Sequence, residues 1–441
     1  MKTPLCDFVA AYEQSGAARL HMPGHKGRGP LGCEGRDITE IAGADSLYEA
    51  GGVIAKSERS AAALFGARAT FYSAGGSSQC VGAMLCLALQ QSDSRVVLAA
   101  RNAHKSFLHA AALLDADVRW LWPEPYSLLH CPVTPAALEA ALAALPEVPA
   151  AVYITSPDYL GNLQPVARLA EVCHARGVPL LVDNAHGAYL HFLPVPAHPL
   201  DEGADLCCDS AHKTLPVLTG GAYLHLGRGV LDVEAGQARA ALALFGSTSP
   251  SYLILQSLDA CNRYLADEAK PRLAACVKAV EALKADLEAQ GWAVAESEPL
   301  KVTIHASKRG WRGDALADVL RRGGVECEYA DPDDLVLMVS PQNTPGELDR
   351  VRALLARAGR GSDAPRTPPR MARPRQAMPI RAALLAPAEE VPVEAAVGRV
   401  CAAPTVGCPP AVPVVVSGEV IGADAADVFR YYGIEKVRVV R

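Results

Sequence analysis

Four segments of the chain place charged, hydroxyl or glycine residues directly after short apolar runs. They are Ala74-Gly-Gly-Ser-Ser-Gln79, Arg101-Asn-Ala-His-Lys-Ser106, Asp183-Asn-Ala-His-Gly187 and Asp209-Ser-Ala-His-Lys213. Apolar runs of this kind are typical of buried strands, and open α/β sheets bind ligands where their strands end. The four segments are therefore candidates for the walls of one site.

The first segment has the composition of an anion cradle. Its glycines, Gly76 among them, allow the backbone to approach a ligand closely, and Ser77 and Ser78 offer hydroxyl donors. The segment leads into a helical pattern, and a helix N-terminus presents unpaired N–H groups to an anion. It lacks the lysine of a P-loop and the spacing of a dinucleotide fingerprint. Taken alone, it is compatible with a phosphate site or with an ordinary turn.

Two other segments carry an acid and a lysine at predicted strand ends. Asp183 follows four apolar residues, so it is partly desolvated and requires a cation or a set of hydrogen-bond donors. Lys213 stands close to Ser210 and His212 with apolar sequence on either side, a setting that suits a Schiff-base lysine. Either residue alone is also compatible with a surface loop.

Together, the four segments supply the groups that pyridoxal phosphate requires. The cradle would anchor the phosphate, Lys213 would bond to the aldehyde, and Asp183 would keep the pyridine nitrogen protonated. The flat imidazole of His104 could cover the face of the ring. The protein would then provide orientation and charge, while the cofactor provides the electronic chemistry.

Alternating strands and helices are predicted to position these segments. Strand-like runs occupy residues 69–73, 95–99, 151–155, 178–182, 204–208 and 221–226. Apolar residues repeat at helical spacing from Val166 to Cys173, and Thr134 followed by Pro135 is typical of a helix start. This alternation predicts an α/β domain around a mostly parallel sheet.

Five segments are predicted along the chain: an arm (1–55), a large cofactor-binding domain (56–250), a small α/β domain (251–358), a linker (359–381) and a C-terminal unit (382–441). The small domain begins with one or two long helices over residues 252–290, with Pro271 as a break. The linker contains six arginines and five prolines in 23 residues, which is typical of a solvated loop.

Composition and charge predict a soluble, cytoplasmic protein with neither nucleic acid nor a membrane as partner. Of the 441 residues, 50% are hydrophobic and 20% charged, and the formal net charge is only -6. The longest apolar run, residues 80–89, is about half as long as a membrane-spanning helix, and the first 20 residues show no signal-peptide pattern. The thirteen cysteines show no Cys-x-x-Cys spacing, so reduced core thiols and no metal site are expected.

On these motifs the chain resembles the bacterial ornithine/lysine/arginine decarboxylases, most of all their shorter biosynthetic members. Further motifs that carry the resemblance are His21-Met-Pro-Gly-His-Lys-Gly27, Ser247-Thr-Ser-Pro-Ser-Tyr252, Gly407-Cys-Pro-Pro-Ala-Val-Pro413 and Ser417-Gly-Glu419. The family implies a three-layer, pyridoxal-phosphate-dependent large domain of the aspartate-aminotransferase fold (fold type I) and a smaller C-terminal α/β domain.

The resemblance also implies roles for individual residues. Lys213 is the implied Schiff-base lysine, Asp183 the partner of the pyridine nitrogen, and His104 the ring that stacks on the cofactor. His212 or Lys213 would return a proton to Cα. The other implied cofactor contacts are Gly76, Ser77, Ser78, Ala185, Ser210 and His212, together with Ser247 and Thr248, which would reach a phosphate across the interface of a homodimer.

The implied reaction is decarboxylation of a basic amino acid, arginine first and then lysine or ornithine, to a polyamine-pathway amine and CO2. Asp45, Asp158 and Glu419 are candidates to bind the distal cationic group. Three alternatives remain: an aminotransferase, in which Arg321 or Arg322 would hold the substrate carboxylate, an aldolase, or a non-catalytic paralogue that binds the cofactor.

Overall fold

A computed structural model describes residues 1–124, 126–364, 367–406 and 412–441. Most of the Gly407–Pro413 motif, residues 407–411, therefore lies outside the described residues. The elements are α1 (Pro4–Gln14), α2 (Val53–Leu64), β1 (Ala69–Ser73), α3 (Gly76–Gln90), β2 (Val96–Ala100), α4 (Lys105–Leu114), β3 (Asp117–Leu121), α5 (Pro135–Ala144), β4 (Ala151–Thr155), α6 (Val166–His174), β5 (Leu180–Asp183), β6 (Leu206–Asp209), α7 (Ala211–Thr214), β7 (Ala222–Leu226), α8 (Ala235–Leu244), α9 (Tyr252–Asp267), α10 (Ala269–Ala289), β8 (Lys301–His305), α11 (Gly313–Arg322), β9 (Tyr329–Ala330), β10 (Asp334–Met338), α12 (Pro345–Ala358), α13 (Ile380–Leu385), β11 (Ala388–Pro392), α14 (Val393–Ala396), β12 (Thr405–Val406), β13 (Val415–Val416), α15 (Ala423–Tyr431) and β14 (Lys436–Val440).

The chain forms two compact units. Unit 1 consists of Met1–Arg95, Ala144–Ser156 and Val166–Pro271, and unit 2 of Val96–Ala143, Pro157–Pro165 and Arg272–Arg441. The five segments predicted from the sequence, with boundaries at 55, 250, 358 and 381, stay a prediction.

In unit 1, five strands lie side by side in the order β1-β7-β6-β5-β4. Strands β4, β5 and β6 are parallel, while β7 is antiparallel to both of its neighbours, β6 and β1. Two antiparallel steps restore the original direction, so β1 runs the same way as β6. The carboxyl ends of β1, β4, β5 and β6 therefore share one edge of the sheet, which we call the carboxyl edge.

Strands β4, β5 and β6, which end at the carboxyl edge, are apolar along nearly their whole length. All residues of β5 and β6 are buried, as are four of the five in β4. Continuous apolar strands are typical of parallel sheets that are covered on both faces. Helix α3 packs against β5, β6 and β7. The predicted α/β class with a mostly parallel sheet is confirmed.

Unit 2 holds the remaining strands. Strands β2 and β3 pair in parallel, and β8, β10 and β9 form an antiparallel sheet in that order. Near the C-terminus β11 pairs with β14 and β12 with β13, both antiparallel. The core there includes Val393, Val415, Phe429 and Val439, all buried.

Most predicted strands are found within one or two residues of their predicted bounds. Strands β1 and β4 coincide with the predicted runs, whereas β3 was not predicted. Its residues alternate between exposed and partly buried, with Asp117 and Arg119 among them, so it lacks the apolar run that marks the other strands. Helix α5 begins at Pro135 as predicted, and the Thr134 hydroxyl accepts the N–H of Ala137.

The predicted helix break at Pro271 is wrong by three residues. The two long helices separate at Glu268, and Pro271 lies inside the first turn of α10. Proline is tolerated there because the first N–H groups of a helix have no intrahelical partner. At the beginning of the predicted arm, α1 packs on α2 and α9.

The described cysteines are twelve free thiols, of which eight are buried. Burial raises the pKa of several of them, for example that of Cys80 to about 12, so they remain protonated. Within the described residues, no helix combines the length and the apolar composition that crossing a bilayer requires.

Candidate functional site

The turn between β1 and α3 forms an open cradle at the carboxyl edge. Gly76 adopts a φ of 72°, a left-handed conformation that glycine allows, and its N–H donates to the carbonyl of Gly220 at 2.8 Å. A Cβ atom added at Gly76 would meet no atom within 4 Å, so the space beside this backbone is open. The 15-residue helix α3 begins here, and its first N–H groups favour an anion.

Two hydroxyls from distant parts of the chain meet beside this cradle. Ser77 lies in the first turn of α3, and the hydroxyl of the buried Ser210, which follows β6, donates to the Ser77 hydroxyl at 2.7 Å. Ser78 is exposed at the same turn. The Nδ1–H of His212 donates to the carbonyl of Gly221 at 3.1 Å, which holds the imidazole against β7. Three of the predicted phosphate contacts, Ser77, Ser78 and Ser210, thus share one corner of unit 1.

Asp183 is the last residue of β5 and is only 3% exposed. Its Oδ1 accepts the N–H of Ala185 at 3.2 Å, and its Oδ2 accepts the phenol proton of Tyr153 at 2.9 Å. The thiol of Cys208 donates to Oδ1 at 3.6 Å. The carboxylate at this strand end is therefore met by hydrogen-bond donors, as its predicted burial requires. Tyr153 was not predicted as a site residue, because an aromatic residue within an apolar run indicates only a core position.

Lys213 lies in α7 and is partly buried. Its Nζ is 2.9 Å from Nε2 of His186, which is buried and stands three residues after Asp183. A ring nitrogen at this distance can take a proton from the ammonium group, which a nucleophilic amine must lose. The motif that contains His186 was recognised in the sequence, but this residue received no role. The sequence feature that could have identified His186 is its position three residues after Asp183, an acid at a strand end.

The remaining predicted site residues are His104, Ser247 and Thr248, of which His104 and Ser247 have local contacts of their own. His104 belongs to unit 2, where it is exposed and caps α4 by accepting the N–H of Ser106 on Nδ1 at 3.2 Å. Ser247 and Thr248 are exposed in the loop between α8 and α9, and the Ser247 hydroxyl accepts the N–H of Ser249.

Each of the three acids considered for the distal cationic group of the substrate accepts hydrogen bonds from other groups of the protein. Asp45 accepts several backbone N–H groups of residues 51–55. Asp158 accepts both side-chain and backbone N–H groups of Asn162. Glu419 binds both outer nitrogens of Arg101 at 2.7 Å in a buried pair. These contacts explain the burial or turn geometry of the three acids without a substrate.

The arginines considered as an aminotransferase clamp are exposed on α11. Arg321 forms ion pairs with Asp318 at 2.5 Å and Glu326 at 3.3 Å. An exposed guanidinium that is already paired with two acids is a poor clamp for a substrate carboxylate.

A fully buried cluster lies at the end of β6. Oδ2 of Asp209 is 3.0 Å from Nε2 of His198 and 3.1 Å from Nε2 of His225, and Oδ1 is 2.7 Å from Nδ2 of Asn184. His198, Cys207 and Asp209 are close enough together to hold a metal ion. The backbone N–H of Leu200 donates to Nδ1 of His198, so the ring proton lies on Nε2, where it faces the Asp209 carboxylate. The cluster is therefore a hydrogen-bond network centred on a charged carboxylate.

Replacing Asp209 by asparagine is expected to lower the free energy of unfolding at pH 7 by about 3 kcal/mol. In a unit of this size that loss lowers the thermal midpoint by roughly 6–10 °C. Burial alone would raise the pKa of Asp209, but the electrostatic attraction of His198 and His225 and their hydrogen bonds outweigh it and hold the pKa well below its ordinary value. The ionised group therefore stabilises the fold above the unfolded-state value of about 3.9, and this stabilisation is lost as the pH falls below it.

Thermal unfolding of wild type and Asp209→Asn between pH 3 and pH 8 checks this expectation. The difference between their midpoints should be largest near neutrality and shrink below about pH 4. Asp201→Asn is the matched control, since Asp201 also pairs with a histidine but its side chain is 27% exposed. Equal midpoints for the two variants would contradict the role of the buried cluster.

Comparison with known proteins finds one family whose models match most of the chain. The model of the Orn/Lys/Arg decarboxylase major domain matches residues 3–306, and the model of the Orn/Lys/Arg decarboxylase C-terminal domain matches residues 364–437. The arginine decarboxylase of Halalkalibacterium halodurans is 30% identical to this chain over 95% of its length and 91% of the relative's.

Two further comparisons extend this result. The uncharacterised protein YaaO of Bacillus subtilis is 32% identical over 95% of this chain and 92% of its own. Among solved structures, the Francisella novicida lysine decarboxylase LdcF has a TM-score of 0.82 over 99% of this chain and 79% of its own, at 15% identity. At that identity the structural likeness concerns the fold.

Proposed function

Because the chain belongs to the Orn/Lys/Arg decarboxylase family and is thus a decarboxylase of basic amino acids, we propose that its substrate is arginine and its cofactor pyridoxal phosphate. The observation that carries the proposal is a partly buried lysine, Lys213, at the same sheet edge as the buried acid Asp183. The arginine decarboxylase among its relatives, which matches nearly the whole chain, supports arginine as the substrate.

The residues at the carboxyl edge fit this cofactor. The open space beside Gly76 and the paired hydroxyls of Ser77 and Ser210 suit a phosphate group. A carboxylate offers about four acceptor positions. Among the residues that the structure describes, three donors reach Asp183, so one position remains there for a ring N–H. Lys213 supplies the amine for the aldehyde.

When bound, pyridoxal phosphate accepts into its ring the electron pair that the departing carboxylate leaves on Cα. Asp183 holds a negative charge where the ring nitrogen carries its proton. His186 takes a proton from Lys213 Nζ, 2.9 Å away, so that the amine is neutral. Lys213 or His212 would return a proton to Cα, and the imidazole of His104 would cover the ring.

We propose further that two copies of the chain complete each site. Ser247 and Thr248 are exposed, so their hydroxyls are available to the phosphate of a second copy. The functional protein is then at least a homodimer. It acts in the cytoplasm, and its amine product enters polyamine synthesis.

Arginine is expected to be decarboxylated with a kcat/KM at least about tenfold above that of lysine or ornithine. The reason is that a site built for a planar guanidinium, which donates in a fixed fork, matches a compact ammonium poorly. The test is to reconstitute the protein with pyridoxal phosphate and measure CO2 and the product amine from each of the three amino acids.

One CO2 should form for each amine, and Lys213→Ala serves as the blank. A preference for lysine or ornithine would contradict arginine as the substrate. A 2-oxo acid formed without CO2 would contradict decarboxylation itself.

A further inference from the structure

Asp183 receives hydrogen bonds from the strands on both sides of its own. The phenol of Tyr153 on β4 donates to Oδ2 at 2.9 Å, and the thiol of Cys208 on β6 donates to Oδ1 at 3.6 Å. Both side chains are fully buried. Each oxygen of the carboxylate therefore has a side-chain donor that is shielded from water.

The register of the sheet explains this arrangement. Cys208 lies opposite Asp183 on β6, and Thr155 lies opposite it on β4. Tyr153 stands two residues before Thr155 and so shares its face, from which its long side chain reaches Asp183 diagonally. The contacts follow from the positions of the residues in three neighbouring strands and do not depend on a loop.

Both groups keep their protons near neutral pH. Burial raises the pKa of Tyr153 well above its ordinary value, and the negative charge of Asp183 raises it further. Burial and the charge of Asp183 raise the pKa of Cys208 in the same way. A protonated phenol and a protonated thiol face the carboxylate as donors.

We propose that Tyr153 and Cys208 are positioning residues, which hold the carboxylate of Asp183 in place and fix the direction of its open acceptor position toward the ring nitrogen of the cofactor. This inference rests on the proposed function. A hydrogen-bond donor at each oxygen of a carboxylate opposes rotation of the group. A well-aligned acceptor would bind the N–H of the ring nitrogen, and a protonated ring is the better electron acceptor.

Tyr153→Phe is expected to lower kcat about tenfold and to leave KM within about twofold, because a hydrogen bond to a charged group is lost away from the substrate. Cys208→Ala is expected to lower kcat only about threefold, since a thiol is a weak donor. Cys208→Ser keeps a donor and should restore the wild-type rate.

A second measurement follows the cofactor independently of turnover. The ¹⁵N chemical shift of ring-labelled pyridoxal phosphate, bound without substrate, reports whether the ring nitrogen is protonated. In Tyr153→Phe the ¹⁵N shift should move toward the value of an unprotonated ring nitrogen. In Cys208→Ser the shift should stay at the wild-type value. Circular dichroism and the thermal midpoint establish that each variant is folded.

Tyr223→Phe and Cys173→Ala are the matched controls, since both residues are fully buried in unit 1 and neither contacts Asp183 through a hydrogen bond found in the described part of the chain. If Tyr153→Phe matches Tyr223→Phe in both the ¹⁵N shift and kcat, the positioning role is overturned. A wild-type protein that binds no labelled cofactor would instead overturn the proposed function.

Discussion

Lys213→Ala is expected to abolish decarboxylation, with kcat/KM falling at least about 10⁴-fold. The substitution removes the amine, whose Nζ lies 2.9 Å from Nε2 of His186, and alanine supplies no nucleophile in its place. The visible absorbance of the reconstituted protein should be lost with it, because the cofactor is no longer covalently held. The fold should be kept, since Lys213 is only partly buried and alanine suits a helix. Absorbance spectra and CO2 release measure both effects.

Lys284→Ala is the matched control for this variant. Lys284 is also partly buried, and its Nζ donates to the Ser297 hydroxyl at 3.0 Å, but it lies in unit 2 on α10. This variant should keep the visible absorbance and the wild-type rate. If Lys213→Ala behaved like Lys284→Ala, the assignment of the reactive amine to Lys213 would be wrong.

Asp183→Asn is expected to lower kcat by about 10³-fold with little change in KM. Asparagine keeps the size and one oxygen acceptor, so Ala185 and Tyr153 can each still find a partner nearby. What the variant lacks is the negative charge that holds a proton on the ring nitrogen. Steady-state kinetics with saturating cofactor measure the loss.

The control for a buried acid is Asp205→Asn. Asp205 is 2% exposed and accepts hydrogen bonds from His174 and the N–H of Leu180, but it precedes β6 and so lies at the opposite edge of the sheet. The Asp205→Asn variant should be less stable than the wild type. The fraction that is folded should have nearly the wild-type kcat. Comparable rates for Asp183→Asn and Asp205→Asn would contradict a role for the charge at position 183.

The strand ends could be predicted because the sequence changes there from apolar to polar within one residue. Asp183 follows Leu180, Leu181 and Val182, and the structure ends β5 at this acid. The turn at Gly76 was predictable because its left-handed backbone conformation favours glycine. Such signals are local, and each is contained in a few consecutive residues.

Contacts between distant residues could not be predicted in this way. Tyr153 and Asp183 are 30 residues apart, and their hydrogen bond depends on which strands are neighbours in the sheet. The same holds for the buried pair of Arg101 and Glu419, 318 residues apart, which removed Glu419 from the acids available to a substrate. The sequence indicated Glu419 as a candidate acid, but it did not indicate that Glu419 pairs with Arg101.

The most direct measurement is to locate the covalent bond between protein and cofactor. The reconstituted protein is reduced with borohydride, digested, and its lysine peptides are identified by mass spectrometry. The pyridoxyl group should be found on the peptide that contains Lys213 and be missing from the same digest of Lys213→Ala. A pyridoxyl group on another lysine, or on none in the wild type, would contradict the site built around Lys213 and Asp183.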